Sequence, residues 1–250
     1  MQAPQVPLFA RQDVVELFPT LVWAFDLQPD LATQCNAALL QQLQTIAAAR
    51  PPQKNDLSLQ SDHDLHRLPC FAPLQPAIDQ SVRAIMAHLQ LEEAPFQVTG
   101  AWLNLSAPGI RHHEHAHPNN WLSMVYYVQT PKGGDTIRFY DPRPQAQVLM
   151  PKTKKLSPLT GSSITIAAAA GRLLAFPSWF KHSVDANAGE GERVSLAINV
   201  MFQQFGERMA APMWKPKLAR PGGRPAGQPP GKLPFTIPPV LKPPGGSRKG

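Results

Sequence analysis

From about Glu93 to Phe205 the chain is a succession of short runs rich in β-branched and aromatic residues, divided by clusters of glycine, proline, asparagine and aspartate. Such punctuation leaves no room for long helices and favours antiparallel strands joined by tight connections. The runs fall near 97–106, 110–117, 121–129, 135–140, 147–150, 163–168, 172–176, 181–184 and 193–204. Short strands at this regular spacing predict a double-sheet jelly roll or barrel.

The N-terminal part has a different period. Residues 8–27 read as an opening strand entered through Pro19. Leu31, Ala38, Leu39, Leu43 and Ile46 approximate a 3.6-residue repeat, which predicts a helix over 30–49 stopped by Pro51-Pro52. Residues 53–70 are polar and read as a loop, and a second helix is expected from about Pro73 to Leu89, with Ile78, Val82, Ile85 and Leu89 on one stripe. The expectation is therefore a mostly β fold with flanking helices. It forms one domain over 1–205, with a helical part at about 30–92 and a jelly-roll core at about 95–205.

Beyond it the composition changes. Residues 212–250 hold eleven prolines and no periodicity, so residues 206–250 are expected to form a disordered Pro/Gly-rich tail. The formal charge of +7 divides unevenly: Gly206–Gly250 carries nine Lys/Arg against Glu207 alone, a balance of +8, and the preceding residues carry −1. The basicity thus belongs to the tail, and no aromatic-interleaved basic motif argues for a specific nucleic-acid partner. Cys35 and Cys70 suggest neither a disulfide framework nor a metal spacing. No signal peptide and no membrane span is expected, and the cytoplasm is the simplest location. The oligomeric state stays open.

Four of the eight histidines lie within six residues, His112, His113, His115 and His117. On an extended strand, residues i and i+2 share a face, so His113, His115 and His117 are expected to point one way and His112 and Glu114 the other. Two imidazoles so placed can reach one metal, and imidazole suits iron, zinc, copper and nickel alike. A basic surface loop or a pH-sensitive patch is the plainer reading of such a cluster. Further on, Gly171–Val184 contains a Pro177-Ser178 turn followed by His182, and Arg193-Val194-Ser195 opens an apolar strand. A charged guanidinium at the mouth of a buried strand needs an anionic partner, and its planar fork fits a carboxylate.

Together these features resemble the 2-oxoglutarate/Fe(II) dioxygenases, and within them one bacterial and phage family of such oxygenases. The residues carrying the resemblance are Leu17-Phe18-Pro19-Thr20, Trp102-Leu103-Asn104 and Gly109-x5-His115-Ala116-His117-Pro118-Asn119. Ser123-Met124-Val125-Tyr126-Tyr127-Val128, Asp141-Pro142-Arg143, Gly171–Val184 and Arg193-x-Ser195 with Asn199 continue it over roughly 17–205. The resemblance implies a double-stranded β-helix, the cupin-like jelly-roll core, whose open end holds Fe(II) on His115, His117 and His182, which are also the catalytic set. It implies 2-oxoglutarate as cofactor, with its distal carboxylate on Arg193 beside Ser195, and with Asn104 and Tyr126 or Tyr127 in the same pocket. Strand alternation lets only one of those tyrosines point inward. O2 is the implied co-substrate, and 2-oxoglutarate would be decarboxylated to succinate as a substrate C–H bond is hydroxylated. The substrate, a small molecule or a protein side chain, is not given.

One departure matters: the usual triad has two histidines and a carboxylate, and here the i+2 position is His117. An alternative register, His112-x-Glu114, restores a carboxylate but misaligns Pro118-Asn119 and Tyr126-Tyr127. A cupin-like metal-binding protein or isomerase without O2 chemistry is the alternative reading of the same histidines.

Overall fold

A computed structural model of the chain describes residues 11–49, 58–149 and 151–204. The proline-rich tail, the expected domain end at 205 and the Pro51-Pro52 helix stop lie outside the described residues.

The β pattern resolves into ten strands among the described residues: β1 (Trp23–Asp26), β2 (Ser58–Gln60), β3 (Phe96–Ser106), β4 (His112–His115), β5 (Leu122–Gln129), β6 (Thr136–Tyr140), β7 (Ser163–Ala167), β8 (Arg172–Pro177), β9 (His182–Val184) and β10 (Arg193–Phe202). They form a six-stranded sheet ordered β1-β8-β5-β10-β3-β2 and a four-stranded sheet ordered β4-β9-β6-β7, with the strand pairs of both antiparallel. Mostly antiparallel β structure with two α-helices, α1 (Pro29–Ala49) and α2 (Gln75–His88), is the expected fold class.

Period-two alternation explains the layering. On β10, Val194, Leu196, Ile198 and Val200 join Leu122, Met124, Tyr126 and Val128 of β5 and Ala101 and Leu103 of β3 in one apolar core. Cys35, Leu39 and Leu43 of α1 and Ile78, Val82 and Ile85 of α2 belong to the same core, so the helices cover that face of the large sheet. Leu89, expected on the α2 stripe, lies past the helix end and is 37% exposed. The opposite face of the large sheet contributes Tyr127, Leu174 and Phe176 to a smaller cluster with Ile137, Phe139 and Phe180. The intervening positions of β10, Arg193, Ser195, Ala197 and Asn199, share that second face.

Four expectations need correction. The opening strand contracts to Trp23–Asp26, with Val14, Val15, Leu17 and Phe18 strongly exposed. The polar stretch read as a loop contains β2, which pairs with β3 through Gln60↔Asn104, and two short 3-10 turns at Leu65–Arg67 and Pro69–Phe71. Among the described residues no strand forms near 147–150. A 3-10 turn spans Pro144–Gln147, and Val148 and Leu149 are 84% and 85% exposed, so an apolar pair without a facing sheet has nothing to bury against. The expected strand 110–117 is shorter, His112–His115, and its ladder to β9 contains a bulge between those two residues. No helix among the described residues is long and apolar enough to cross a membrane.

Candidate metal and cofactor site

The floor of the site is a set of rungs across neighbouring strands of the large sheet. One rung runs Ser123–Asn199–Gly100, the next Val125–Ala197–Trp102, and a third Tyr127–Ser195–Asn104–Gln60. Arg193 stands opposite Ser106 one rung further. Residues in register on adjacent strands point to the same face, and the side chains of the second and third rungs, with Arg193, line a pocket of about 470 Å³. The small sheet supplies the other wall. His115 and His182 are directly paired between β4 and β9, and His117 follows where the chain leaves β4.

The departure of the chain from β4 is well defined. The His117 backbone N–H donates to the Ser178 carbonyl at 2.8 Å, and Asn119 turns the chain at φ 64°, a left-handed conformation asparagine tolerates better than most residues. His115, His117 and His182 each offer a ring nitrogen, and these atoms lie within 4.8 Å of one another, the one such grouping among the described residues.

Each ring is tied down from behind through Nδ1. His115 Nδ1 lies 2.7 Å from the His113 carbonyl, His182 Nδ1 3.0 Å from the Phe180 carbonyl, and His117 Nδ1 2.8 Å from Asn199 Oδ1. All three partners are oxygens that only accept, so each Nδ1 is the donor, and Nε2 is the nitrogen that carries the lone pair in the neutral ring. Ser123 also donates to Asn199 Oδ1, at 3.1 Å. Histidines that bind metals are held by outer hydrogen bonds of this kind. Burial disfavours the imidazolium: it lowers His182 to about 4 and pushes His117 down, although the Asn199 bond opposes the latter shift. Neutral imidazole is the form that coordinates.

The second half of the site is a cation without a counter-ion. Arg193 is 3% exposed, and its one hydrogen bond is a long one, Nη1 to the Asp185 carbonyl at 3.4 Å. Its Nη2 has no partner. The Tyr127 hydroxyl, on a residue 2% exposed, is likewise buried and unpartnered. Burial pushes the Arg193 guanidinium down and the Tyr127 phenol up, while each is eased by the other. Buried polar atoms are nearly always satisfied in folded proteins. Two such atoms opening on the same pocket therefore point to an anion with acceptor oxygens.

The structure thus brings His115, His117, His182, Tyr127, Ser195, Asn104 and Arg193 to one pocket. Tyr126 does not belong to it: its hydroxyl donates to Asn36 Oδ1 at 2.8 Å on the helix-covered side. The simple alternation expected for the histidines also fails. The bulge between His112 and His115 brings His112 to the pocket as well, with Nε2 3.1 Å from Ser106 Oγ, and desolvation lowers its pKa to about 4. Glu114 is held by Lys181 at 2.9 Å, and the register His112-x-Glu114 does not join the nitrogen cluster. Trp102, Gln60 and Arg111 line the pocket without having been singled out as site residues. For Trp102 the signal was its odd position beside Leu103 and Leu105, but Gln60 reaches the site only through the unforeseen β2.

Residues 100–199 match the model of a family described as "Putative 2OG-Fe(II) oxygenase". That is the family type the sequence motifs resemble, and the matched span contains each candidate ligand. A prolyl-4-hydroxylase of Pseudomonas putida superposes with a TM-score of 0.51 at 19% identity, over 74% of this chain and 94% of that one. SnoN, a non-haem α-ketoglutarate-dependent epimerase from nogalamycin biosynthesis, gives 0.53 at 11% identity over 73% and 77%. HygX of Streptomyces hygroscopicus, solved with nickel and 2-oxoglutarate bound, gives 0.50 at 12% over 74% and 84%. At these identities the likeness is one of fold, the jelly roll. No curated protein matches the chain in sequence.

Proposed function

We propose that this chain is a 2-oxoglutarate- and Fe(II)-dependent dioxygenase that hydroxylates a C–H bond of a small molecule or protein side chain. The observation that carries the reading is the pairing of three free Nε2 lone pairs with an unpartnered buried guanidinium and phenol in one pocket. A metal alone would use the histidines and leave Arg193 unexplained. An anion alone would leave unexplained why ring nitrogens of three imidazoles converge within 4.8 Å of one another.

In this reading His115, His117 and His182 would hold Fe(II) through Nε2, and the metal would supply the site for the 2-oxo acid and O2 chemistry. Arg193 and Tyr127, with Ser195 beside them, bind the distal carboxylate of 2-oxoglutarate, and the guanidinium fork supplies paired donors that an ammonium lacks. Asn104 extends the polar floor. Iron and 2-oxoglutarate supply the oxidising chemistry, O2 activation coupled to decarboxylation to succinate, while the protein orients the reactants and excludes side reactions. Asn199 and the two backbone carbonyls keep the imidazoles oriented. Because all three ligands are neutral, the centre carries one positive charge more than a two-histidine, one-carboxylate site.

The test is anaerobic reconstitution with Fe(II) followed by 2-oxoglutarate. A visible metal-to-ligand charge-transfer band is expected, then stoichiometric succinate on admitting O2. Tight metal binding with no band and no succinate would move the assignment to a cupin-like metal-binding protein or isomerase.

A further inference from the structure

The charges of the pocket lining do not balance once the cofactors are counted. Arg193 and Arg111 both line the pocket, and the one carboxylate in the lining, Glu114, is neutralised by Lys181 at 2.9 Å. Asp62 and Asp64 flank His63 nearby but are not part of the lining. The three histidines add no negative charge. A divalent metal and the dianion of 2-oxoglutarate cancel each other, which leaves the two arginines as surplus positive charge.

Arg193 is already engaged by the distal carboxylate in the reading above. Arg111 is not: its exposed side chain has no hydrogen bond or ion pair among the described residues, although it stands at the entry to β4, on the rim of the pocket. A lone exposed arginine is ordinarily a solvated one. Here its position beside a site with excess positive charge and apolar walls makes solvation alone a poor account. Those walls are Val125, Ala197, Ile137 and Val184, with the edge of Trp102. The Trp102 ring is held between His63, at 4.5 Å between centroids, and His117, at 5.5 Å. A cleft lined by one sign of charge concentrates ligands of the opposite sign.

We propose that the primary substrate is an amphiphilic carboxylate, with its apolar body against the Val125–Ala197–Trp102 rung and its carboxylate on Arg111. This rests on the proposed oxygenase reading. It makes Arg111 a specificity-determining residue and excludes cationic substrates such as a lysine side chain. Rim exposure limits the contribution of the pair but leaves its sign and its salt dependence.

The probe is phenylacetate against its neutral isostere phenylacetamide. Each is titrated anaerobically into protein loaded with Fe(II) and saturating 2-oxoglutarate, following the perturbation of the charge-transfer band. The expected result is binding of phenylacetate at least about fivefold tighter than phenylacetamide, consistent with one partly exposed charge-assisted bond. The preference should shrink as ionic strength rises. In Arg111→Gln the acid and the amide should bind alike, while the band itself still forms. Equal binding of acid and amide by the wild type, an acid preference that survives in Arg111→Gln, or binding of neither compound would overturn the inference. Failure of the band to form in the wild type would instead overturn the oxygenase reading, so the two failures are distinguishable.

Discussion

Tyr126 and Tyr127 are neighbours on one strand and live in opposite environments. Tyr126 looks into the helix-covered core and its hydroxyl is satisfied by Asn36. Tyr127 looks into the pocket, equally inaccessible, with its hydroxyl unsatisfied. Two arginines of the pocket-side face differ in the same way: Arg172, at the start of β8, grips Asp26 through two bonds of 2.7 and 3.0 Å, while the better buried Arg193 has no acid partner among the described residues. Tyr126 and Arg172 are complete for folding. Tyr127 and Arg193 are complete only when something else is bound, and groups of that kind are where function is sought.

The largest effect is expected for His115→Ala, His117→Ala and His182→Ala, each of which should abolish tight Fe(II) binding in equilibrium titrations, whereas His113→Ala should leave it nearly unchanged. Stoichiometric iron in His117→Ala would show that the triad is wrongly drawn.

Acid should act on the pocket face before the core face. In the metal-free protein burial holds His182 at about 4 against an ordinary 6.5. Between these values the unfolded chain takes up a proton that the folded one refuses. The stabilisation is therefore full above about 6.5 and declines as pH falls toward 4, by on the order of 3 kcal/mol from this group. Urea denaturation at pH 7 and pH 4.5 measures it, and a midpoint independent of pH would contradict the burial argument.

Asn199→Ala removes the acceptor that fixes the His117 tautomer, and metal affinity should fall by about ten- to a hundredfold with the fold intact. Unchanged affinity would mean that the backbone alone orients the ring. The smallest effects separate the tyrosines. Tyr126→Phe should cost about 1 kcal/mol of stability by leaving Asn36 without its donor, with 2-oxoglutarate affinity unchanged. Tyr127→Phe should cost no stability and weaken 2-oxoglutarate severalfold. A reversed pattern in thermal melts and titrations would invert the assignment of the two faces.

The contrast was partly legible in the sequence. Val194, Leu196, Ile198 and Val200 alternate with Arg193, Ser195, Ala197 and Asn199, and period two alone assigns them to different faces. The same rule could have chosen between the tyrosines, because Tyr126 shares its parity with Leu122, Met124 and Val128, and Tyr127 shares its own with Ser123. The histidine spacing and the distal His182 and Arg193 were readable because metal and carboxylate chemistry restrict residue type. The placement of His112 was not, since a bulge between His112 and His115 shifts the alternation and leaves no mark in composition. Gln60 was hidden for another reason: β2 is three residues long, and its pairing is set by β3 rather than by its own pattern. Val148 and Leu149 misled in the opposite sense, because an apolar pair becomes a strand only where a partner edge awaits it.

The account turns on Arg193, which a structural role would satisfy internally and a cofactor role leaves open. The decisive measurement is the anaerobic titration of the Fe(II) charge-transfer band with 2-oxoglutarate in the wild type, Arg193→Ala and Arg193→Lys. A charge-assisted bond to a buried partner is worth roughly 1.5–3 kcal/mol. Arg193→Ala should therefore weaken 2-oxoglutarate by about ten- to a hundredfold with Fe(II) binding retained, and Arg193→Lys should recover only part of the loss. Equal affinities in the wild type and Arg193→Ala would show that this arginine is not the anchor, and would remove the central support for a 2-oxoglutarate site in this pocket.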